Sequence, residues 1–249
     1  MILTVELESL HLRNATVTLI DTPDLSFPNL NRLVLSDTAR IEGDDSDYAA
    51  VFNAKAMPKL AHLALDCHGL RGAETLEPFI RHVVPLARSL AFNRSNYGPG
   101  DLEAYSMILS EAQLSPKLKH LSVAVDSEGL SLRILFEDSP NLKLKTLHLS
   151  GDELATRETA QQLIMIGKGE HESIKVKEVV LYGHTRESPG HDYSAKELDA
   201  LTWVSRGGFR CGFFEMECPP FEDFDGSLSG NRGFDRFDRI SSFPANTTL

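Results

Sequence analysis

Four of the nine histidines, His11, His62, His120 and His148, lie one residue before or after the middle apolar position of a recurring leucine spacing. Imidazole ligates metals and carries protons, so the grouping of these four decides whether a metal or catalytic centre is expected. Alternation along a strand puts them in two separate columns, and only His120 and His148 belong to successive units. A closed zinc site needs four converging ligands, which this arrangement does not supply. Cys67-His68 has no partner at a zinc spacing, and Cys67 is expected to face the core. Gly167-Lys168-Gly169 lacks the phosphate-loop pattern and follows a helical stretch, so it reads as a helix stop. Asp223-Phe224-Asp225-Gly226 opens like a calcium loop, but Leu228 stands where the turn glycine belongs and Phe234 where the bidentate acid belongs. No ordered nucleophile motif is present. No catalytic residue, cofactor or metal site is therefore expected.

The elements that would carry these side chains follow from the leucines. The spacing L-x-x-L-x-L recurs at Leu7/Leu10/Leu12, Leu30/Leu33/Leu35, Leu60/Leu63/Leu65, Ala87/Leu90/Phe92, Leu118/Leu121/Val123, Leu144/Leu147/Leu149 and Val176/Val179/Leu181. The middle positions are 23, 30, 27, 31, 26 and 32 residues apart. The last two apolar residues of each unit have strand period, so each unit predicts one strand. Between strands the period becomes helical, at Leu76, Phe79, Ile80 and Val83, at Leu102, Tyr105, Ile108, Leu109 and Ala112, and at Ala160, Leu163 and Ile164, so each unit also predicts a helix. Ser194 and Glu197 have capping-box spacing, and Gly207 sits where that helix stops. Pro28, Pro58, Pro116 and Pro140 are expected to end helices and open the approach to a strand. Leu142, two residues before Leu144, predicts an early strand start there. Repetition at this period predicts an α/β leucine-rich-repeat solenoid, a horseshoe of about seven to eight strand-helix repeats with a parallel concave sheet. A doubly wound sheet would need fully apolar strands, which these are not.

With the leucines inward, the intervening residues are expected on the concave face. One column is Ser9, Arg32, His62, Ser89, His120, Thr146 and Glu178; the next is His11, Val34, Ala64, Ala91, Ser122, His148 and Val180; a third is Arg13, Ser36, Asp66, Asn93, Ala124, Ser150 and Tyr182. One step earlier, Arg88, Lys119, Lys145 and Lys177 form a basic stripe along the border. The candidate partner-binding residues are Arg32, His62, Arg88, Lys119, His120, Lys145, His148, Lys177, Glu178 and Tyr182, with an acidic segment as the partner for the stripe. Asp37, Asp66, Asp126, Asp152 and the acidic stretch from Glu42 to Asp47 read as turn formers and helix caps.

The chain of 249 residues carries 36 Asp and Glu against 25 Lys and Arg, a net charge of −11 that disfavours nucleic acid as a partner. No apolar run reaches the roughly 18 residues of a membrane span, and MILTVELESL lacks the features of a secretory leader. A cytoplasmic or nuclear location with reduced thiols is expected, and the sequons at Asn14, Asn93 and Asn246 read as chance. The solenoid is placed at 1–218. The acidic and aromatic tail at 219–249, with Phe234 and Phe237 at helical-turn spacing, is expected to be partly disordered or capping. A solenoid that begins at Leu3, Val5 and Leu7 has an apolar end that upstream residues or another chain would cover.

The segments FPNLNRLVLSD, MPKLAHLALD and SPKLKHLSV resemble the leucine-rich-repeat part of F-box proteins, particularly the divergent ones of fungi. The likeness runs from Leu3 to about Gly207. It implies a protein-interaction module, the substrate receptor of an SCF-type ubiquitin ligase, in which an N-terminal helical F-box binds the adaptor. Here Met1 is followed almost at once by the first repeat, so an adaptor is expected only if an upstream F-box exists. The alternatives are a stand-alone scaffold or decoy without ligase recruitment and, third, an enzyme with an unrecognised site.

Overall fold

The structure, a computed structural model, describes residues 3–19, 25–36, 39–66, 73–93, 99–124, 134–138, 142–151, 154, 157–172, 174–182, 194–206, 209–214 and 234–236. The strands are β1 (Leu3–Thr4), β2 (Ser9–Arg13), β3 (Thr16–Thr18), β4 (Leu25–Ser26), β5 (Arg32–Ser36), β6 (Arg40–Glu42), β7 (His62–Asp66), β8 (Ser89–Asn93), β9 (His120–Ala124), β10 (Leu142–Ser150), β11 (Ile174–Tyr182), β12 (Arg210–Phe214) and β13 (Phe234–Arg236). The helices are α1 (Asp45–Val51), α2 (Ala73–Val83), α3 (Pro99–Leu114), α4 (Arg157–Lys168) and α5 (Ala195–Arg206). Among the described residues nine strands form one sheet, in the order β2-β5-β7-β8-β9-β10-β11-β12-β13. The first eight are parallel neighbours in chain order, and β13 adds antiparallel to the edge. The chain is mixed α/β.

The register sets the middle residues of all seven units, Leu10, Leu33, Leu63, Leu90, Leu121, Leu147 and Val179, in one continuous row, and Cys211 extends it to β12. In each unit the first two leucines are three residues apart, which a straight strand would send to opposite faces. The backbone resolves this with a kink. The Glu8 carbonyl accepts from both Asn31 and Arg32, at 2.8 and 3.2 Å. The pattern then repeats from unit to unit, with two successive N–H groups on one carbonyl: Ala61 and His62 on Asn31, Arg88 and Ser89 on Ala61, Lys119 and His120 on Arg88, and Lys145 and Thr146 on Lys119. A carbonyl has two lone pairs, so it accommodates both donors, and the extra residue turns the chain like a bulge. The residues at the kink therefore stack.

On the leucine face the helices close the core: Phe79, Ile80 and Val83 of α2, Tyr105, Ile108 and Leu109 of α3, Leu163 and Ile166 of α4 and Leu201 and Val204 of α5 all belong to one buried cluster with the strand leucines. Phe92 meets Tyr105 edge-on at 4.9 Å. Proline opens strands through a tight turn: Leu30 N–H donates to Phe27 and Leu60 N–H to Met57 across Pro28 and Pro58. Ala87 N–H donates to Val84 across Pro85 in the same way, so Pro85 does this work for the fourth unit. Leu142 begins β10 early as the spacing predicts, and Ile174 does the same for β11, paired with it in register.

Several expectations are corrected. The first interval has no helix among its described residues; β3 runs there instead and pairs in parallel with β6 of the next interval. The β-branched run Thr16-Val17-Thr18 favours this extended path. Pro28 follows the short strand β4 instead of a helix, and Pro58 stands well beyond the end of α1. Leu3 is not in the repeat sheet, since β1 pairs with β4. Phe234 lies in β13 and not on a helical turn, because its backbone pairs with β12. The rest of the tail, Cys67, Gly207, Asp37, Asp126, Asp152 and Pro140 lie outside the described residues.

The local signals for α4 and α5 are realised. The Ser194 hydroxyl accepts from Glu197 N–H at 3.3 Å, and the Ser194 N–H donates to the Glu197 carboxylate at 2.9 Å, closing the capping box. Gly169, at φ +75°, ends α4: its N–H bonds Ile166, and Glu170 N–H bonds Met165, the double bond of a left-handed helix stop. Asp44 and Asp47 form a second capping box at α1. The Ser46 hydroxyl and the Asp47 N–H donate to Asp44 and hold its carboxyl below the usual range.

Candidate functional site

The kink residues form an outward-facing column along the border of the sheet. From β2 to β11 they run Glu8, Asn31, Ala61, Arg88, Lys119 and Lys145, with Lys177 opposite Lys145 between the registered pairs Leu144–Val176 and Thr146–Glu178. All are exposed except Ala61, which is half-buried. The early starts of β10 and β11 add Lys143 and Lys175, directly opposite one another and both exposed. Lys117, exposed in the turn before β9, completes a basic field. Among the described residues no acidic side chain forms an ion pair with any of these seven cations. The nearby Glu170 points its carboxylate to Lys168 at 4.0 Å.

A depression of about 340 Å³ opens beside this field, lined by Leu114, Pro116, Lys119, Lys143 and Leu144 among others. Leu114, the last residue of α3, is 74% exposed. A second depression of about 410 Å³ lies at the other end of the column, lined by Glu8, Ser9, Asn29, Asn31, Arg32 and Lys59. There the polar groups answer one another: Lys59 donates to Asn29 at 2.6 Å, and Asn29 donates to Glu6.

The three columns expected on an open face are exposed at β2, at Ser9, His11 and Arg13, and are placed differently further along. Arg32 and His62 are half-buried, whereas His120, His148, Glu178 and Tyr182 are buried, as are Ser89, Thr146 and Val180. His120 Nδ1 and the Thr146 hydroxyl are 2.8 Å apart, and the Tyr182 ring lies 5.6 Å from that of His148. Val34, Ala64 and Ala91 form a separate small cluster on this face. Of the sequence-derived candidates, the structure brings Arg88, Lys119, Lys145 and Lys177 together as an accessible set. It draws His120, His148, Glu178 and Tyr182 into the packed face. Sequence reasoning missed Lys143, Lys175, Lys117 and Leu114. The signal for the first two was the alternation Leu-Lys-Leu-Lys at 142–145 and Ile-Lys-Val-Lys at 174–177.

His11 does not approach the other three histidines as a group; its Nε2 is 2.7 Å from the Ser36 hydroxyl. Among the described residues no three His, Cys, Asp or Glu side chains converge as a metal site. His171 is a further buried histidine, against Phe136 at 6.0 Å, and its Nδ1 accepts the Ile174 N–H at 3.1 Å just where β11 begins. Burial pushes its pKa down, with Glu172 opposing. Tyr48, whose hydroxyl donates to the Ile41 carbonyl at 2.7 Å, has its pKa raised by burial.

Among the described residues no helix is long and apolar enough to cross a membrane. The chain matches no protein-family model and no curated protein.

Proposed function

We propose that the chain is a leucine-rich-repeat solenoid of about seven to eight units that binds a protein partner along the border where its strands begin. The observation that carries this reading is the column of kink residues, which presents one outward side chain per unit at a fixed spacing. Such a periodic, rigidly held row suits recognition of an extended surface, and solenoids use faces of this kind for binding. Binding through the buried columns is not part of the reading; Arg32 and His62 contribute only at the rim. Catalysis is not part of it either.

The finer form, a substrate receptor of an SCF-type ubiquitin ligase, rests on the resemblance to the repeats of F-box proteins. A stand-alone scaffold is the alternative. Isolation of the native protein from its own cells separates the two: a cullin-ligase adaptor in the complex supports the receptor, and its absence from an otherwise intact complex supports the scaffold. The binding reading itself is tested by photo-crosslinking residues placed at Lys119 and Lys177, with Ser110 on α3 as the comparison. Discrete protein adducts from the two border positions are expected. Adducts from Ser110 alone would contradict the reading.

A further inference from the structure

The sheet stacks like charges in a way that costs stability unless something answers them. Arg88 faces Lys119, Lys119 faces Lys145, and Lys145 faces Lys177 across successive strands, while Lys143 faces Lys175. Like charges directly opposite in a sheet are destabilising. A chain of net charge −11 has ample carboxylates, yet among the described residues none pairs with this field. Lysine stems alone cover apolar edges, but covering an edge does not require five cations on three adjacent strands.

The second observation is apolar. Leu114 projects from the end of α3 beside the depression that Lys119 and Lys143 also line. An exposed leucine that shares its depression with two lysines fits a ligand that carries both carboxylates and a hydrophobic side chain.

We propose that this field is the docking site for an acidic segment of a partner protein, with one apolar side chain of that segment seated against Leu114. The inference rests on the protein-binding reading above and assigns the chemistry of the partner. Carboxylates lie along the column formed by Arg88, Lys119, Lys145 and Lys177 and its second row of Lys143 and Lys175, and Lys119 and Lys143 stand beside the apolar anchor. The first three kink residues, Glu8, Asn31 and Ala61, offer no such attraction, so the acidic segment stops before β7.

The test uses the full chain and a fluorescein-labelled peptide in which glutamates flank a central leucine, read by fluorescence anisotropy. A peptide with glutamine in place of glutamate and one with alanine in place of leucine are the comparisons. The acidic peptide should bind about tenfold or more tightly than its glutamine counterpart, and added salt should weaken it. The variant K119E/K145E/K177E should lose the binding, whereas K55E/K196E, remote from the field, should retain it. Leu114→Asp should abolish the preference for leucine over alanine while the preference for glutamate remains. Urea unfolding of each variant establishes that it is folded, and K119Q/K145Q/K177Q gives a milder second version. Equal binding of the acidic and glutamine peptides would overturn the inference. So would binding that survives charge reversal, or binding of heparin or duplex DNA in place of the peptide. If border crosslinks to a protein persist while the peptides show no charge preference, the acidic segment fails and the protein-binding reading stands.

Discussion

Along the border where the strands begin, the first three units carry Glu8, Asn31 and Ala61, and the next four carry Arg88, Lys119, Lys145 and Lys177. The shared carbonyl recurs from Glu8 to Lys119 across both regions, so the difference belongs mainly to the side chains and to what encloses the strands. At the edge of the first region the returning chain is extended, with β3 on β6, Leu10 and Leu12 of β2 are half-buried and Leu7 is 37% exposed, whereas Leu33 and Leu63 of the next two units are enclosed. In the second region helices α2 to α5 pack the sheet, and Leu121, Leu147 and Val179 are fully enclosed. One plan thus yields a loosely covered edge at β2, near which the polar groups answer one another, and a packed body whose border carries charge that no described side chain pairs with.

The largest expected effect sharpens this contrast within a single row. Leu147→Ala should cost about 2–5 kcal/mol, since it empties a fully buried site. Leu10→Ala, in the same row at β2, should cost roughly 1 kcal/mol because its side chain is already half in water. Urea midpoints of the two variants measure the difference. Equal losses would break the comparison.

Next comes the joint between α4 and α5. A Cβ on Gly167 would stand 2.7 Å from Phe209 and 2.9 Å from Val204, so Gly167→Ala should destabilise by about 1–3 kcal/mol through overpacking. Full stability in thermal unfolding would mean the helices lie further apart than described. A smaller loss, about 1 kcal/mol, is expected for Ser194→Ala, which removes the cap of α5. Helicity by circular dichroism and the unfolding midpoint report it.

A pH dependence belongs to the packed region as well. The pKa of His171 is lowered in the folded chain by burial, so the unfolded chain binds the proton more readily. Its contribution to stability is present above about pH 6.5, the unfolded value, and is lost as the pH falls through the lower folded value. Protonation would also remove the Nδ1 acceptor for Ile174 N–H. His171→Gln should flatten the acid side of the stability profile between those two values; an unchanged slope would assign it to other groups.

The leucine spacing made the row from Leu10 to Val179 legible, because a three-then-two interval has few other uses. It did not reveal how the three-residue step is achieved, since the shared carbonyls leave no mark on residue identity. Pro85 escaped notice because Ala87 replaces the usual leucine, and β12 because Cys211 and Phe213 stand where leucines do elsewhere. Alternation correctly separated the faces at His120 and His148. It could not show that both would be buried, which depends on what packs over that face. The basic border was legible at one residue in each of the last four units, and its doubling at Lys143 and Lys175, though marked by the Leu-Lys and Ile-Lys alternation, became plain with the length of β10 and β11.

That the basic border lacks answering carboxylates, as it does among the described residues, is tested most directly by the stability of K119Q/K145Q/K177Q in urea at low and high ionic strength. Relief of repulsion should raise its stability over the parent by a few tenths to about 1 kcal/mol at low salt, and the gain should vanish in about 1 M sodium chloride. A loss of stability at low salt would contradict the account, since it would mean that carboxylates of the same chain already satisfy these lysines.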